Sequence, residues 1–268
     1  MQLSGKNILL TGATGGVGSV LAQKLALKGA RLALVGRDLS KLNALKQRLA
    51  VGHGEHVVID ANFDAEGVAQ PLVDEAVKKL GRVDVLINNA GILDFIQLED
   101  QSEQRIAQMV QTNVTTLIQL TRALLPSFKA KNQGHFVMIG SIFGSLGFPH
   151  YATYCATKFA VHGFSQALRR ELVNTNIKVT YIAPRGIKTP MNDANTSAMM
   201  EQSGNKMDTP EHVAEIIVRA IENERQEVFI GQPQSFFAWL NGVLPMAVNF
   251  GLKKQTALAV PFLRKTKD

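Results

Sequence analysis

The sequence predicts one α/β domain built on a doubly wound sheet of seven parallel strands. Seven short apolar runs alternate with longer segments whose apolar residues recur at helical spacing, the pattern of strands joined by crossover helices. Within each run the apolar residues are largely continuous, as strands covered on both faces require. At 268 residues the chain is long enough for one large core and tight for two.

The elements follow in order. "KNILLTG" is the first strand, and its glycine-bearing turn leads into a helix over 17–28. "ARLALVG" precedes a helix over 39–49, "HVVID" one over 67–80, and "VDVLINNAG" a long one over 102–131. "GHFVMIGS" precedes a helix over 151–174, and "IKVTYIAP" is the sixth strand. The polar segment 191–208, with four of the eight methionines, follows that strand's carboxyl end and is expected to be a mobile lid with adaptable apolar contacts. A helix over 210–223 and the strand "EVFIG" complete a domain spanning 1–234, leaving 235–268 as an apolar extension with a basic tail.

Charge narrows the function classes. The formal net charge is +7, yet Lys253 to Asp268 hold five basic residues against one acidic, so that the tail carries +4 of it. A basic tail on a nearly neutral body argues against nucleic-acid binding. The lone cysteine, Cys155, cannot form an internal disulfide and is expected as a small buried hydrophobe. "MQLSGKNILLTG" lacks a basic leader followed by an apolar run, so a cytoplasmic protein is expected. The six histidines show no metal-ligand spacing backed by cysteines or carboxylates, and no metal is expected.

"TGATGGVG", Thr11 to Gly18, sits between the first strand and first helix. Gly12, Gly16 and Gly18 there let the backbone approach a pyrophosphate, and the free N–H groups of the helix start attract the anion. This is the Rossmann-like arrangement of a dinucleotide site. At the end of the second strand a carboxylate would bind a ribose 2′-hydroxyl, but the sequence has Gly36 and then Arg37. An arginine pairs bidentately with a 2′-phosphate, so NADP(H) is favoured over NAD(H). Asp38 either neutralises Arg37 or caps the next helix.

"HYATYCATKFAVHG" holds the acid/base candidates. Residues four apart share a helix face, so Tyr154 stands beside Lys158, while Tyr151 stands beside Cys155. A cation roughly 5 Å away at an effective dielectric near 20 favours phenolate by on the order of 3 kcal/mol, about two pKa units, and burial opposes it. Ser141 ends the fifth strand, where it can donate to a developing alkoxide, and Asn113 is a poor helix former inside a long helix, which suits a specific task for its amide. His150 and His162 are expected to be structural or substrate-lining.

From Lys6 to Met191 the chain resembles the short-chain dehydrogenases/reductases. The resemblance rests on "TGATGGVG", Asp60, "NNAG", Asn113, Ser141, "YCATK" and "PRGIKT", in that family's order, with thirteen residues from Ser141 to Tyr154. It implies Tyr154 as catalytic acid/base, Lys158 lowering its pKa and holding the nicotinamide ribose, Ser141 orienting the substrate oxygen, and Asn113 supporting a water-mediated proton relay through Lys158. It implies cofactor contacts from Thr14, Val17 and Pro184 as well as the turn glycines. Asp60 would meet the adenine, Asn88, Ala90 and Gly91 the adenosine side, and Ile187 and Thr189 the nicotinamide end. The helices bearing Asn113 and Tyr154 commonly form a dimer or tetramer interface in this family. Where the family usually has Pro-Gly, this chain has Pro184-Arg185; the arginine is open to contact with cofactor phosphate, with an acidic substrate, or with solvent alone.

The extension 235–268 fits poorly with a spanning helix, being short and carrying Asn241, Asn249 and Pro245. It reads as an interfacial helix on anionic lipid, a cover for the substrate cleft, or a surface for a subunit partner. The expectation is an NADP(H)-dependent enzyme that interconverts a hydrophobic alcohol and carbonyl, with Ser141 and Tyr154 touching substrate. The rival is a catalytically silent NADP(H)-binding sensor or docking module.

Overall fold

The computed structural model describes residues 1–50, 54–192, 194–202 and 206–263. Seven strands form one fully parallel sheet in the order β3-β2-β1-β4-β5-β6-β7. They are β1 (Asn7–Thr11), β2 (Arg31–Gly36), β3 (Val57–Asp60), β4 (Val85–Asn88), β5 (Gly134–Ile139), β6 (Ile177–Pro184) and β7 (Glu227–Ile230). The strand order reverses between β1 and β4, which opens a crevice at their carboxyl ends, the usual ligand seat of such sheets. All seven predicted strands are present.

Alternate residues of each strand feed two cores. Ile8, Leu10, Leu32 and Leu34 face one side, where α1 (Gly16–Leu27), α2 (Leu39–Arg48) and α8 (Pro210–Glu222) cover them. Leu9, Ala33, Val35 and Phe136 face the other, under α3 (Ala69–Leu80), α5 (Thr116–Lys131) and α6 (Ala152–Glu171). The two faces are the reason the strands read as unbroken apolar runs.

Three segments depart from expectation. The helix over 102–131 is interrupted: α4 (Glu103–Val110) passes through a π turn, Gln111–Thr115, into α5. Such turns frequently sit at functional sites, and this one contains Asn113. The segment expected as a lid forms α7 (Ala194–Gln202), which buries Thr196, Met199 and Met200. Its two ends are tied together, since Asp208 donates to the Gly186 carbonyl and Lys188 to the Asp208 carbonyl, each at 2.9 Å. The extension is a helical hairpin rather than one helix: α9 (Gln234–Val243) ends at Leu244, and α10 (Pro245–Ala259) starts on Pro245, whose missing N–H is harmless at a first helical position. The basic residues Arg264, Lys265 and Lys267 lie outside the described residues.

Candidate active site

The glycine turn is shaped by contact. Gly12 has φ +63°, and a Cβ there would lie 2.9 Å from the Ala90 Cα, while one at Gly18 would lie 2.1 Å from the Gly12 carbonyl. Only glycine fits either position. Helices α2 and α8 are capped by the side chains of Asp38 and Thr209, but α1 follows Gly15 with no side-chain cap. Its first N–H groups therefore remain available to an anion, and the turn fits a dinucleotide pyrophosphate. Thr14 lies beside Gly36, half-buried Val17 packs on the core, and the Thr189 side chain rests against Gly16, so that the turn and the loop after β6 meet here.

Thr11 and Asn89 sew β1 to β4. The Thr11 hydroxyl accepts the N–H groups of Asn89 and Ala90 at 3.0 Å, and the Asn89 amide donates to the carbonyls of Thr11 and Gly12 at 3.0 and 3.1 Å. Asn88, expected to line the adenosine side, turns its side chain into the core, where it donates to Thr121 Oγ1 at 3.4 Å. Neighbouring strand residues point to opposite faces, which puts Asn89 at the crevice and Asn88 behind it.

The end of β2 carries Arg37, exposed and without an ion pair to another described residue. Asp38 is committed elsewhere: its carboxylate accepts the Lys41 N–H at 3.0 Å, faces the Lys41 ammonium at 3.3 Å, and is held below the usual carboxylate range, chiefly by the backbone bond. Asp60 ends β3 in register with Gly36 and is also exposed.

Asn113, Ser141, Tyr154 and Lys158 converge at the carboxyl end of β4 and β5. Asn113 is 1% exposed; its Oδ1 accepts the Ile92 N–H at 2.8 Å, and its amide donates to the Ile92 carbonyl at 2.9 Å and to Thr157 Oγ1 at 3.1 Å. These bonds leave its side chain fixing the loop after β4 to α6. None of them reaches Lys158 directly. Gly91 lies between the two: a Cβ on it would be 3.3 Å from Asn113 Oδ1 and 3.8 Å from Lys158 Nζ. Ser141 Oγ accepts the Phe143 N–H at 3.1 Å, and the same side chain favours the ionised form of the Tyr154 phenol.

Lys158, 6% exposed, lies on the same side of α6 as Tyr154, its Nζ 5.6 Å from the ring centroid and donating to the Ile139 carbonyl at 3.0 Å. The expected lowering of the phenol is not what the protein's own groups produce. Desolvation pushes Tyr154 up to about 12, against a smaller downward pull from the Ser141 hydrogen bond. The same desolvation pulls Lys158 down to about 8. Burial wins because the ammonium points beneath the ring at a carbonyl rather than at the phenolic oxygen.

Further residues support the cluster from behind. Buried Tyr181 donates from its hydroxyl to the Ser141 carbonyl at 3.1 Å and stacks on His162 at 4.3 Å. His162 Nδ1 faces Ser145 Oγ at 3.0 Å, and its Nε2 lies 3.7 Å from Glu227. Forty residues separate Tyr181 from Ser141, so no local pattern signals the pair. Burial raises the Cys155 thiol, which fits the small buried residue expected. Burial lowers the His150 pKa.

Arg185 takes none of its three expected parts. It forms a bidentate pair with Asp208, at 2.9 and 2.7 Å, and donates to the Gln232 carbonyl at 2.8 Å. The pair clamps the end of β6 to the end of the lid and to the turn before α9. Pro184 closes β6 opposite Ile230, and Ile187 bridges to Asp208.

Apolar side chains surround the Tyr154 ring. Phe95, Phe143, Phe148 and Tyr151 pack with Met199, Met200 and Met207 in one cluster that includes it. The ring lies edge-on to Phe143 at 6.4 Å and to Tyr151 at 6.4 Å. The site thus pairs a phenol, a hydroxyl and an ammonium with an apolar wall, beside a glycine turn suited to a dinucleotide.

The family profile described as short chain dehydrogenase matches residues 6–200. The dehydrogenase/reductase SDR family member 7B of Bos taurus is 33% identical over 243 residues, covering 86% of this chain and 75% of that protein. Ketoacyl reductase HetN of Nostoc sp. is 32% identical over 232 residues, covering 86% and 80%. The crystal structure of a short chain dehydrogenase/reductase from Burkholderia phymatum in complex with NAD superposes with a TM-score of 0.83 at 23% identity, covering 92% of this chain and 96% of that one, and so shares the fold. With that fold, the matched profile and these relatives, the chain belongs to the short-chain dehydrogenase family of oxidoreductases.

Proposed function

We propose that the chain interconverts an apolar carbonyl compound and its alcohol with NADP(H), using Tyr154 as acid/base. The observation that supports this most is Tyr154 packed in an apolar cluster at the end of β5, with Lys158 Nζ 5.6 Å from its ring centroid and Ser141 buried nearby. The glycine turn, the uncapped start of α1, Ala90, Gly91, Ile187 and Thr189 would hold the dinucleotide, which when bound supplies or accepts the hydride. Ser141 orients the substrate oxygen and stabilises charge that develops on it. Tyr154 keeps its proton at neutral pH and delivers it to that oxygen during reduction. Lys158 holds positive charge beneath the ring, and Asn113 positions the Ile92 loop and Thr157 around it. The apolar wall excludes water and selects a hydrophobic substrate, of lipid-derived, steroid-like or retinoid-like kind.

Exposed Arg37, with Asp38 withdrawn to its cap, supports the 2′-phosphate and hence NADP(H). This reading carries a homodimer or homotetramer across the helices that bear Asn113 and Tyr154, and a cytoplasmic setting. A panel of carbonyls and alcohols read by nicotinamide absorbance, with NADPH and NADH in parallel, tests it. Turnover of long-chain or polycyclic carbonyls with NADPH at least about tenfold better than NADH is expected. Turnover confined to small polar sugars, or none with any carbonyl, would contradict it.

A further inference from the structure

The hairpin of α9 and α10 keeps little of its apolar surface inside. Among the described side chains only Ala238 of α9, and Val248 and Ala259 of α10, are buried. Phe236, Phe237, Trp239, Leu244, Met246 and Phe250 are all exposed, Trp239 by 62%, Phe250 by 77% and Met246 by 84%. The rings of Phe236 and Trp239 lie 5.8 Å apart, so the aromatic residues make a patch rather than scattered singles. Exposed apolar clusters of this kind are a standing cost in water unless something covers them.

The hairpin is nonetheless held firmly to the site. Asn241 donates to the Ser145 carbonyl at 3.0 Å, and Ala238 and Val248 pack with Ile142 and Leu146. On the inner side of α10, Asn249, Leu252, Lys253 and Thr256 line a cavity of about 540 Å³ with Phe148, Pro149 and Cys155. Tyr154 and Ser141 do not line it; Phe148 and Cys155, which do, pack in the same cluster as the Tyr154 ring.

Charge identifies the occupant. From Ser235 to Asp268 the sequence has five basic residues against one carboxylate side chain, Asp268. Lys253 sits over the Phe250 ring at 5.8 Å, an ammonium beside the apolar patch. An isologous pairing of two copies through this face would bring together two segments that are each net positive. An anionic bilayer offers both what the patch lacks, acyl chains for the aromatic residues and phosphates for the lysines. No helix among the described residues is long and apolar enough to cross a membrane, so the hairpin lies in the surface plane.

We propose that α9 and α10 form a docking hairpin that seats this chain peripherally on an anionic bilayer, with the α10 cavity opening next to the lipid. The docking stands independently of the oxidoreductase reading, since it uses none of the catalytic residues. It would bring an apolar substrate to the pocket from the membrane.

Trp239 is the only tryptophan in the chain, which makes the full-length protein its own reporter. The protein is mixed with phosphatidylcholine vesicles with or without 30% phosphatidylglycerol, and is followed by flotation and tryptophan emission. The expected result is co-flotation and a blue shift with the anionic vesicles only, reversed in part by 0.5 M salt. Phe236→Ser with Phe250→Ser should weaken that binding at least tenfold, with circular dichroism and thermal midpoint retained. No flotation with either vesicle overturns the proposal, as does binding indifferent to lipid charge. A blue shift without vesicles that grows with protein concentration would also overturn it, by identifying a second copy as the occupant. A carbonyl-panel failure alongside anionic flotation would remove the catalytic reading and leave the docking intact.

Discussion

Helices α8 and α9 are both rich in apolar residues, and the protein treats them oppositely. Helix α8 lays Val213, Ala214, Ile217, Val218 and Ile221 against α1 and the sheet, with its charged residues facing outward. Helix α9 buries Ala238 and leaves its phenylalanines and tryptophan out. The difference is one of pattern: α8 carries a stripe at helical spacing that fits the sheet, while α9 is apolar nearly all round and packs mainly on the turn after β5 and on α10. The candidate active site inverts the same rule, with Asn113, Ser141 and Lys158 buried. Exposed apolar groups and buried polar ones are the two departures that burial energetics does not reward, and both mark places where the chain is doing something other than folding.

The contrast can be broken first through stability. Ile217→Ala, in the packed stripe, should cost about 2–5 kcal/mol in denaturant unfolding. A loss near zero would mean that α8 is no more integral than α9. The buried pole should show itself in pH. Lys158 is charged below about 8 and neutral above it, whereas Tyr154 keeps its proton to about 12. Reductive kcat/KM should therefore be level up to about pH 8 and fall roughly tenfold per unit beyond it, about a hundredfold by pH 10. A profile flat to pH 10 would detach the ammonium from the chemistry.

Exposed Arg37 sharpens the comparison, because it is a surface residue assigned a binding task. Arg37→Glu should shift the NADPH-to-NADH ratio of kcat/KM toward NADH by roughly 10- to 100-fold, the worth of a charge-assisted pair. An unchanged ratio would return Arg37 to ordinary surface. The smallest effect belongs to the extension: Trp239→Ala should move unfolding stability by no more than about 0.5 kcal/mol. A larger loss would show that α9 holds the fold after all.

Much of this was legible beforehand. All seven strands appear where continuous apolar runs ended in glycine, proline or a polar residue, because double-sided burial leaves that mark. Tyr154 and Lys158 share a helix side because four residues make about one turn. The tertiary couplings were not legible. Tyr181 beneath Ser141, Arg185 on Asp208 and Thr11 on Asn89 join residues 23 to 78 positions apart. The choice between Asn88 and Asn89 needed the strand's alternation to be fixed against a known face. The π turn at Asn113 follows from packing against α6 and the Ile92 loop, which no helical propensity encodes. The break before α10 did have a local cue in Pro245. The phenol's upward shift needed the direction of the Lys158 side chain, which spacing alone leaves open.

The central claim is that Tyr154 moves the proton. Tyr154→Phe retains the ring and loses only the hydroxyl, so NADPH titration together with turnover on the best carbonyl of the panel tests it most directly. NADPH should bind within about twofold of the parent protein while turnover falls by roughly 10²–10⁴-fold. Turnover kept within a few-fold of the parent would place the proton transfer on another group and contradict the account.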